Sequence, residues 1–464
     1  MIASFFQNKI LLSFGLAFIP FYFLVALFSN FTISFVLLGF STLDLAFISL
    51  LLIYIIYFFI WLYFRDFHWE QRDFNLVLFF CFLFILVLSL TTLTPGSDFY
   101  HYFFEDVALV IHQQNPFFIT PNDLPQEPVT HLGYWYFLPT QHGPFRIFLT
   151  APLAWLTQGN IVAGIFVYRI FFAFFLLASI LIFYKILQLL KIPNLFYIFL
   201  LFAWNPLIIY TTMINGGTDI LMTFWFLLGC YFLIRRKFYW STAALVLSIL
   251  VKYVTAIFLP FFIIYFLSKE VGLKNKILCL VKHLCLTALI TVFLYFPFWQ
   301  GFDTLWGVIW VGNYFDYNSF LGSIIILLSF LRIPFEIYTL RLVFTIIFLI
   351  IYGLLLVKFL LLGNPQPKNV FICSFLALAA FLILGKFWFY SKYLVWLLPL
   401  IFLIDKKYYS LAVFLTGAVV LTPLTPPYLV ILFLAPFFIF IFYYPISSLI
   451  KIIKYEDSNS HPNL

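Results

Sequence analysis

The sequence concentrates its candidate chemistry where an apolar segment gives way to a polar one. Between Pro95 and Pro144 an otherwise greasy chain turns polar, and the change opens with Gly96-Ser97-Asp98-Phe99-Tyr100-His101-Tyr102. A carboxylate at the mouth of a membrane helix is expensive to desolvate, so it is more often kept for function than for decoration. Asp98 is the first such group, although an Asp ahead of an amphipathic run is also a good helix N-cap. Glu105 and Asp106 lie two helical turns further on, on the same face, where they could assist Asp98 or sit on a solvated side. The cations that could hold an anion are Arg146, Lys252, Lys386 and Lys392. Lys252 is the most telling, because a lysine inside an apolar run must find a negative charge, either a phosphate or a carboxylate such as Asp219. Lys386 and Lys392 have snorkelling to the interface as their plain alternative, and Arg169 shares that ambiguity. His101, His112, His131 and His142 share the polar stretch but show no metal-ligand spacing, so no metal site is predicted.

The elements that must position these groups are membrane helices. The 464 residues are 65% hydrophobic, 23% aromatic and only 9% charged, far from the balance of a soluble domain. Apolar runs of about 20 residues recur throughout, each long enough to cross roughly 30 Å of hydrocarbon. The net charge of +8 sits in short Lys/Arg clusters between these runs, which fits loops facing anionic lipid headgroups and excludes a nucleic-acid surface. The five cysteines all fall in apolar runs without CxxC spacing and read as buried small hydrophobes. The fold class expected is all-α: a polytopic bundle of about 12–14 transmembrane helices, one domain over 1–455, and a short disordered cytoplasmic tail at 456–464.

With the N-terminus placed in the cytoplasm, spans near 9–29, 43–64 and 74–94 deliver Arg65 and Arg72 inside and Asp98 outside. Segments near 160–189, 195–214 and 218–234 follow, ending at Arg235-Arg236-Lys237 inside. The run 239–267 would break the pattern as one span, so it is split into a hairpin with Lys252 at its outer tip, facing a watery cavity. Spans near 279–298, 337–360, 371–385, 393–404, 408–424 and 428–447 complete the series, and 319–331 is read as a helix lying in the outer interface. The loop 95–159 is then extracytoplasmic, with interfacial helices near 98–113 and 145–156 separated by a Pro- and Asn-rich segment and the aromatic patch Tyr134-Trp135-Tyr136-Phe137. No internal repeat is visible.

Several short motifs occur in a fixed order: Asp98-Phe99-Tyr100-His101-Tyr102, Asn115-Pro116-Phe117, His142-Gly143-Pro144, Trp204-Asn205-Pro206-Leu207, Gly216-Gly217-Thr218-Asp219, Leu250-Val251-Lys252, and Phe389-Tyr390 through Trp396 to Pro399. This ordered set, spanning about 98–400, resembles the prokaryotic mannosyltransferase-like branch of the GT-C glycosyltransferases. His142 stands where that pattern has Tyr, and Gly217-Thr218 where it has His-Asn. The resemblance implies an integral-membrane enzyme of the plasma membrane that moves a monosaccharide, mannose first, from a polyprenyl-phosphate donor to a glycan, lipid or protein acceptor on the extracytoplasmic face. No cofactor or metal is implied, and the transfer would be inverting.

Such a transfer needs a base for the acceptor proton, cations for the departing phosphate and a greasy groove for the prenyl chain. Asp98 is the expected base. Glu105, Asp106, Tyr102, His142 and Asp219 are expected to assist it or bind the acceptor, and Lys252, Lys392, Lys386 and Arg146 to bind the donor phosphate. Tyr100, Tyr102, Trp135 and Tyr136 could stack on a sugar or simply belong to an interfacial aromatic belt. A multi-pass lipid or sugar transporter or flippase without transferase activity would share the hydropathy and the intramembrane lysine, and inverted repeats would favour it.

Overall fold

The computed structural model describes residues 2–28, 42–67, 69–91 and 97–421. Gly96, the span expected near 428–447 and the tail 456–464 lie outside the described residues. The described chain is all-α: α1 (Ile2–Phe28), α2 (Thr42–Tyr63), α3 (Gln71–Leu88), α4 (Asp98–Val110), α5 (Pro144–Leu156), α6 (Ile161–Leu189), α7 (Leu195–Ala203), α8 (Pro206–Ile214), α9 (Thr218–Ile234), α10 (Phe238–Val251), α11 (Leu259–Leu267), α12 (Leu273–Tyr295), α13 (Trp306–Asn313), α14 (Phe320–Phe330), α15 (Ile337–Leu361), α16 (Pro367–Ala380), α17 (Leu398–Ile404) and α18 (Tyr409–Thr416). Among the described residues, eight helical segments are long and apolar enough to cross a membrane, and several shorter apolar helices pack between them. The chain is a polytopic membrane protein.

Two hairpins carry the lysines. Phe238 at the start of α10 stacks on Phe266 at the end of α11, ring centroids 4.7 Å apart, so the chain reverses between them. Lys252 sits at the turn in extended conformation (φ −149°, ψ 117°), and a 3-10 segment, Tyr253–Phe258, leads back into α11. The split expected at Lys252 is therefore present. A second hairpin follows the same plan. Lys368 pairs with Asp405 at 3.3 Å where α16 and α17 come together. At the other end α16 loosens into a π turn at Phe381–Gly385, the chain turns through Lys386, and a 3-10 segment, Ser391–Trp396, leads into α17. Lys252-Tyr253 stands at the start of the 3-10 stretch Tyr253–Phe258 and Lys392-Tyr393 within Ser391–Trp396, and Leu259-Pro260 and Leu398-Pro399 open the helices that follow. This is an internal correspondence that the sequence alone did not disclose.

One expectation changes and two others gain detail. The run 195–214 is broken at Trp204-Asn205, because the Asn205 side chain accepts from the Leu207 and Ile208 amides and starts α8 afresh. Asn205 also donates to Tyr57 Oη at 3.1 Å and Thr416 Oγ1 at 2.7 Å, while Trp204 Nε1 donates to the Val77 carbonyl, so this motif joins helices. α4 does not lie with one face in water: Phe99 to Ala108 are all buried, under α5 on one side and the 128–132 turn on another. Finally α14, read from the sequence as a helix in the outer interface, is pinned to one turn on both flanks. The Asp316 amide ahead of it bonds to the Phe387 carbonyl, and Arg341 after it lies over the Phe387 ring, so both its flanks meet the same turn.

Gly143 shows how tightly the parts fit. Its amide bonds to the Val251 carbonyl at 3.3 Å, and Pro144 follows at the first position of α5, where a missing N–H is harmless. A Cβ built there would lie 2.1 Å from the Leu250 carbonyl oxygen, against backbone that cannot swing away. Gly143→Ala should therefore cost about 1–3 kcal/mol, read as a lower melting temperature in detergent. Gly353→Ala, whose Cβ would meet nothing within 4 Å, should leave the melting temperature in place.

Candidate active site

Asp98 opens α4, but it does not cap it. The cap is Ser97, whose side chain accepts from the Phe99 amide at 3.3 Å. That leaves the Asp98 carboxylate free to meet the Lys392 ammonium directly, with Tyr102 Oη donating to it from 3.3 Å one turn along. Burial alone would raise Asp98, yet the Lys392 charge outweighs it and holds the carboxyl below its usual range.

Asp219 reaches the same place from the first turn of α9. The preceding Gly216 and Gly217 both have left-handed φ, +88° and +58°, and a Cβ on Gly216 would strike the backbone of Phe99. Only glycine brings the start of α9 this close to the start of α4. Asp219 accepts from Lys252 Nζ at 2.6 Å and from Trp396 Nε1 at 2.7 Å. The Lys252 ammonium also lies over the rings of Trp396 and Tyr393, at 4.9 and 5.5 Å. Lys386 differs from both. It lies 3.9 Å over Trp388 and 5.2 Å from Tyr393, and among the described residues it has no carboxylate within ion-pair distance.

Asp98, Lys252, Lys386, Tyr393 and Trp396 line one cavity of about 470 Å3, and Lys392 and Asp219 are tied to it through their pairs with Asp98 and Lys252. Its polar end holds Asp98, His101, Tyr102, Gln141, His142, Lys252 and Lys386. Its apolar end runs between Val254 and Ile257 of the first hairpin, Phe348, Leu349 and Tyr352 of α15, and Phe381. His142 is buried edge-on to Tyr102, and burial, reinforced by the nearby Lys252 charge, pushes its imidazole well below the usual value, so the ring is neutral. Trp135 lines the cavity against Trp388, whereas Tyr136 is half exposed elsewhere.

Glu105, Asp106 and Arg146 form a layer beneath this cavity. All three are buried, and Arg146 joins both carboxylates, meeting Glu105 through Nη2 and Asp106 through Nη1 at 2.9 Å. Tyr168 Oη donates to Asp106 at 2.7 Å, and Thr150 accepts from Arg146 at 3.1 Å. Burial lifts Asp106 to about 6 against the pull of Arg146, while for Glu105 the Arg146 charge outweighs burial and lowers it. Arg146 therefore does not wall the cavity, and neither Glu105 nor Asp106 faces solvent: helix spacing gave their shared face but not the α5 arginine that covers it. Arg169 is likewise spent, donating to the carbonyls of Ser89 and Thr91 at the end of α3. His112 and His131 are held by Glu127 and the Pro125 carbonyl within the loop. Sequence reasoning missed Trp396 as an Asp219 ligand, although it stands inside a quoted motif, and Tyr168, which nothing in the apolar run of α6 distinguishes.

The sequence profile of the MptA_B family, described as alpha-(1->6)-mannopyranosyltransferase, N-terminal domain, matches residues 26–268. That is more than half of the chain, and the chain belongs to this family. It is thus a mannosyltransferase-type glycosyltransferase of the membrane, in keeping with the GT-C resemblance. A comparison with curated protein sequences finds no match.

Removing Arg146 leaves two buried carboxylates facing each other. Arg146→Met should destabilise by about 3–5 kcal/mol, seen as loss of monodisperse protein on size exclusion, and Arg146→Lys should recover little because one ammonium cannot bridge both carboxylates.

Proposed function

We propose that the protein transfers mannose from a polyprenyl-phosphate donor to a glycan, lipid or protein acceptor on the extracytoplasmic face of the plasma membrane. The observation that carries this reading is the composition of the cavity, which joins a cationic, carboxylate-bearing end to an apolar arm between α15 and the first hairpin. A lipid-linked phosphosugar has the same two ends. A nucleotide sugar has nothing to place in the apolar arm.

In this reading the acceptor hydroxyl gives its proton to Asp98 as its oxygen bonds to the sugar C1, while the bond from C1 to the phosphate oxygen breaks. Asp98 is a weak base, so the proton moves late, once the forming C–O bond has made the hydroxyl acidic. Protonation cancels the Asp98 charge and frees the Lys392 ammonium, which then adds to Lys386 and Lys252 in stabilising the departing phosphate. The lysines supply the positive charge this step requires. A single displacement inverts the anomeric centre, so an α-linked product of the kind the family's description states calls for a β-linked donor.

The orientation is supported by the distribution of basic residues. Arg235, Arg236, Lys237, Lys269 and Lys368 lie at the end of the bundle opposite the cavity, as cytoplasmic loops require.

Asp98→Asn should reduce transfer by at least about 100-fold with normal expression, since the amide keeps the shape but cannot accept a proton. Purified protein offered β- and α-linked polyprenyl phosphomannose and a mannose nucleotide side by side should turn over only the first, and Lys386→Ala should weaken use of the donor more than of the acceptor. Turnover of the nucleotide alone, or movement of an unaltered solute without transfer, would overturn the reading. For the orientation, Asn122→Cys should react with a membrane-impermeant thiol reagent from outside intact cells; reaction only after permeabilisation would reverse it.

A further inference from the structure

His101 stands one helical turn beyond Asp98, on the same side of α4, and lines the cavity while being only 2% exposed. Its Nε2 lies 3.0 Å from Glu105 Oε1, a close contact whose angle falls short of a hydrogen bond, and its Nδ1 has neither a hydrogen bond nor a facing carboxylate. A buried polar atom without a partner costs about 1–3 kcal/mol, a cost that binding a ligand can remove.

The tautomer follows from the surroundings. Glu105 is ionised by its contact with Arg146, so it can only accept, and a bare imidazole nitrogen at 3.0 Å from it would be repelled. The proton therefore sits on Nε2. Around the ring are Glu105 from its own helix and the His142 ring from the next segment, with Asp98 and Lys252 lining the same cavity. With its proton on Nε2, the imidazole offers the Nδ1 lone pair to the cavity.

We propose that His101 is an acceptor-recognition residue: Nδ1 accepts a hydrogen bond from a hydroxyl of the acceptor sugar adjacent to the one that attacks, with Glu105 and Arg146 fixing the ring from behind. The inference rests on the transferase reading above. Asp98 and His101, one turn apart, then read two neighbouring hydroxyls of the same sugar, the first losing its proton and the second only donating a hydrogen bond. Glu105 acts through His101 and is a positioning residue.

The test uses full-length protein, polyprenyl phosphomannose and a short mannose oligosaccharide, beside acceptors lacking single hydroxyls. His101→Ala should lower kcat/KM for the acceptor by roughly ten- to a hundredfold and leave the donor KM in place. One deoxy acceptor should show the same loss with the wild type and no further loss with His101→Ala. His101→Asn, which keeps an oxygen near that position, should retain part of the activity. Glu105→Gln should weaken use of the acceptor in the same direction as His101→Ala and leave the donor KM in place. Additive losses with every deoxy acceptor would overturn the proposal while leaving the transferase reading intact. Failure of that reading shows separately, as wild-type protein that transfers nothing from the lipid donor. Acceptor binding to Asp98→Asn protein, measured with and without His101→Ala, then isolates recognition from chemistry.

Discussion

A charge in an apolar surrounding must have a partner, and that requirement organises this molecule. Isolated ions cost far more than they return in low dielectric, while a pair stripped of one member loses several kcal/mol. Asp98 with Lys392, Asp219 with Lys252, and Arg146 with Glu105 and Asp106 answer the requirement within the protein. Each partnership joins segments far apart in sequence, so the pairs also fix how the helices meet. Lys386, resting on aromatic faces, is the cavity cation whose partner is not supplied among the described residues. In the proposed reading the phosphate of the donor is that partner.

The lysines reach the cavity because helices stop there. An ordinary α-helix satisfies its own backbone and presents side chains sideways, whereas the two hairpins end in extended and 3-10 segments whose tips point residues along the bundle. Both carry Lys-Tyr near the start of the 3-10 segment and Leu-Pro where the returning helix starts, with proline tolerated at that first turn. The second hairpin lies beyond the residues that the family profile matches. The site nevertheless draws Lys386, Lys392, Tyr393 and Trp396 from it, so the matched region alone does not enclose the cavity.

Much of the framework was legible in the sequence. Apolar runs of spanning length and the placement of basic clusters gave the helices within a few residues, and a lysine stranded in an apolar run gave the first hairpin. Asp98, Asp219, Lys252 and Lys392 stood out because each interrupts a greasy segment. Apart from Lys252 with Asp219, which the sequence offered as an alternative, what could not be read was which charge meets which. Helical spacing relates residues three or four apart, but Arg146 meets Glu105 across forty-one positions and Lys392 meets Asp98 across 294. Lys252, expected foremost as a phosphate ligand, already has Asp219, and Arg146 lies in a layer the cavity does not reach. The kinship of the two hairpins was hidden because their turns differ in length and share only four residue types.

α15 gives the cavity a lightly packed wall. It contributes Phe348, Leu349 and Tyr352 to the apolar arm, yet most of its length is turned away from the rest of the protein. Its polar tie to the first hairpin is the bond from Tyr352 Oη to the Ile257 carbonyl, while the ion pairs lie on other helices. A tilt of this one helix would open a slot toward the surrounding bilayer while leaving the pairs of Asp98 with Lys392 and Asp219 with Lys252 intact. In the proposed reading a greasy donor would enter, and its spent carrier depart, sideways through the membrane, so that lateral diffusion and helix rocking would set the pace of the cycle beside bond making.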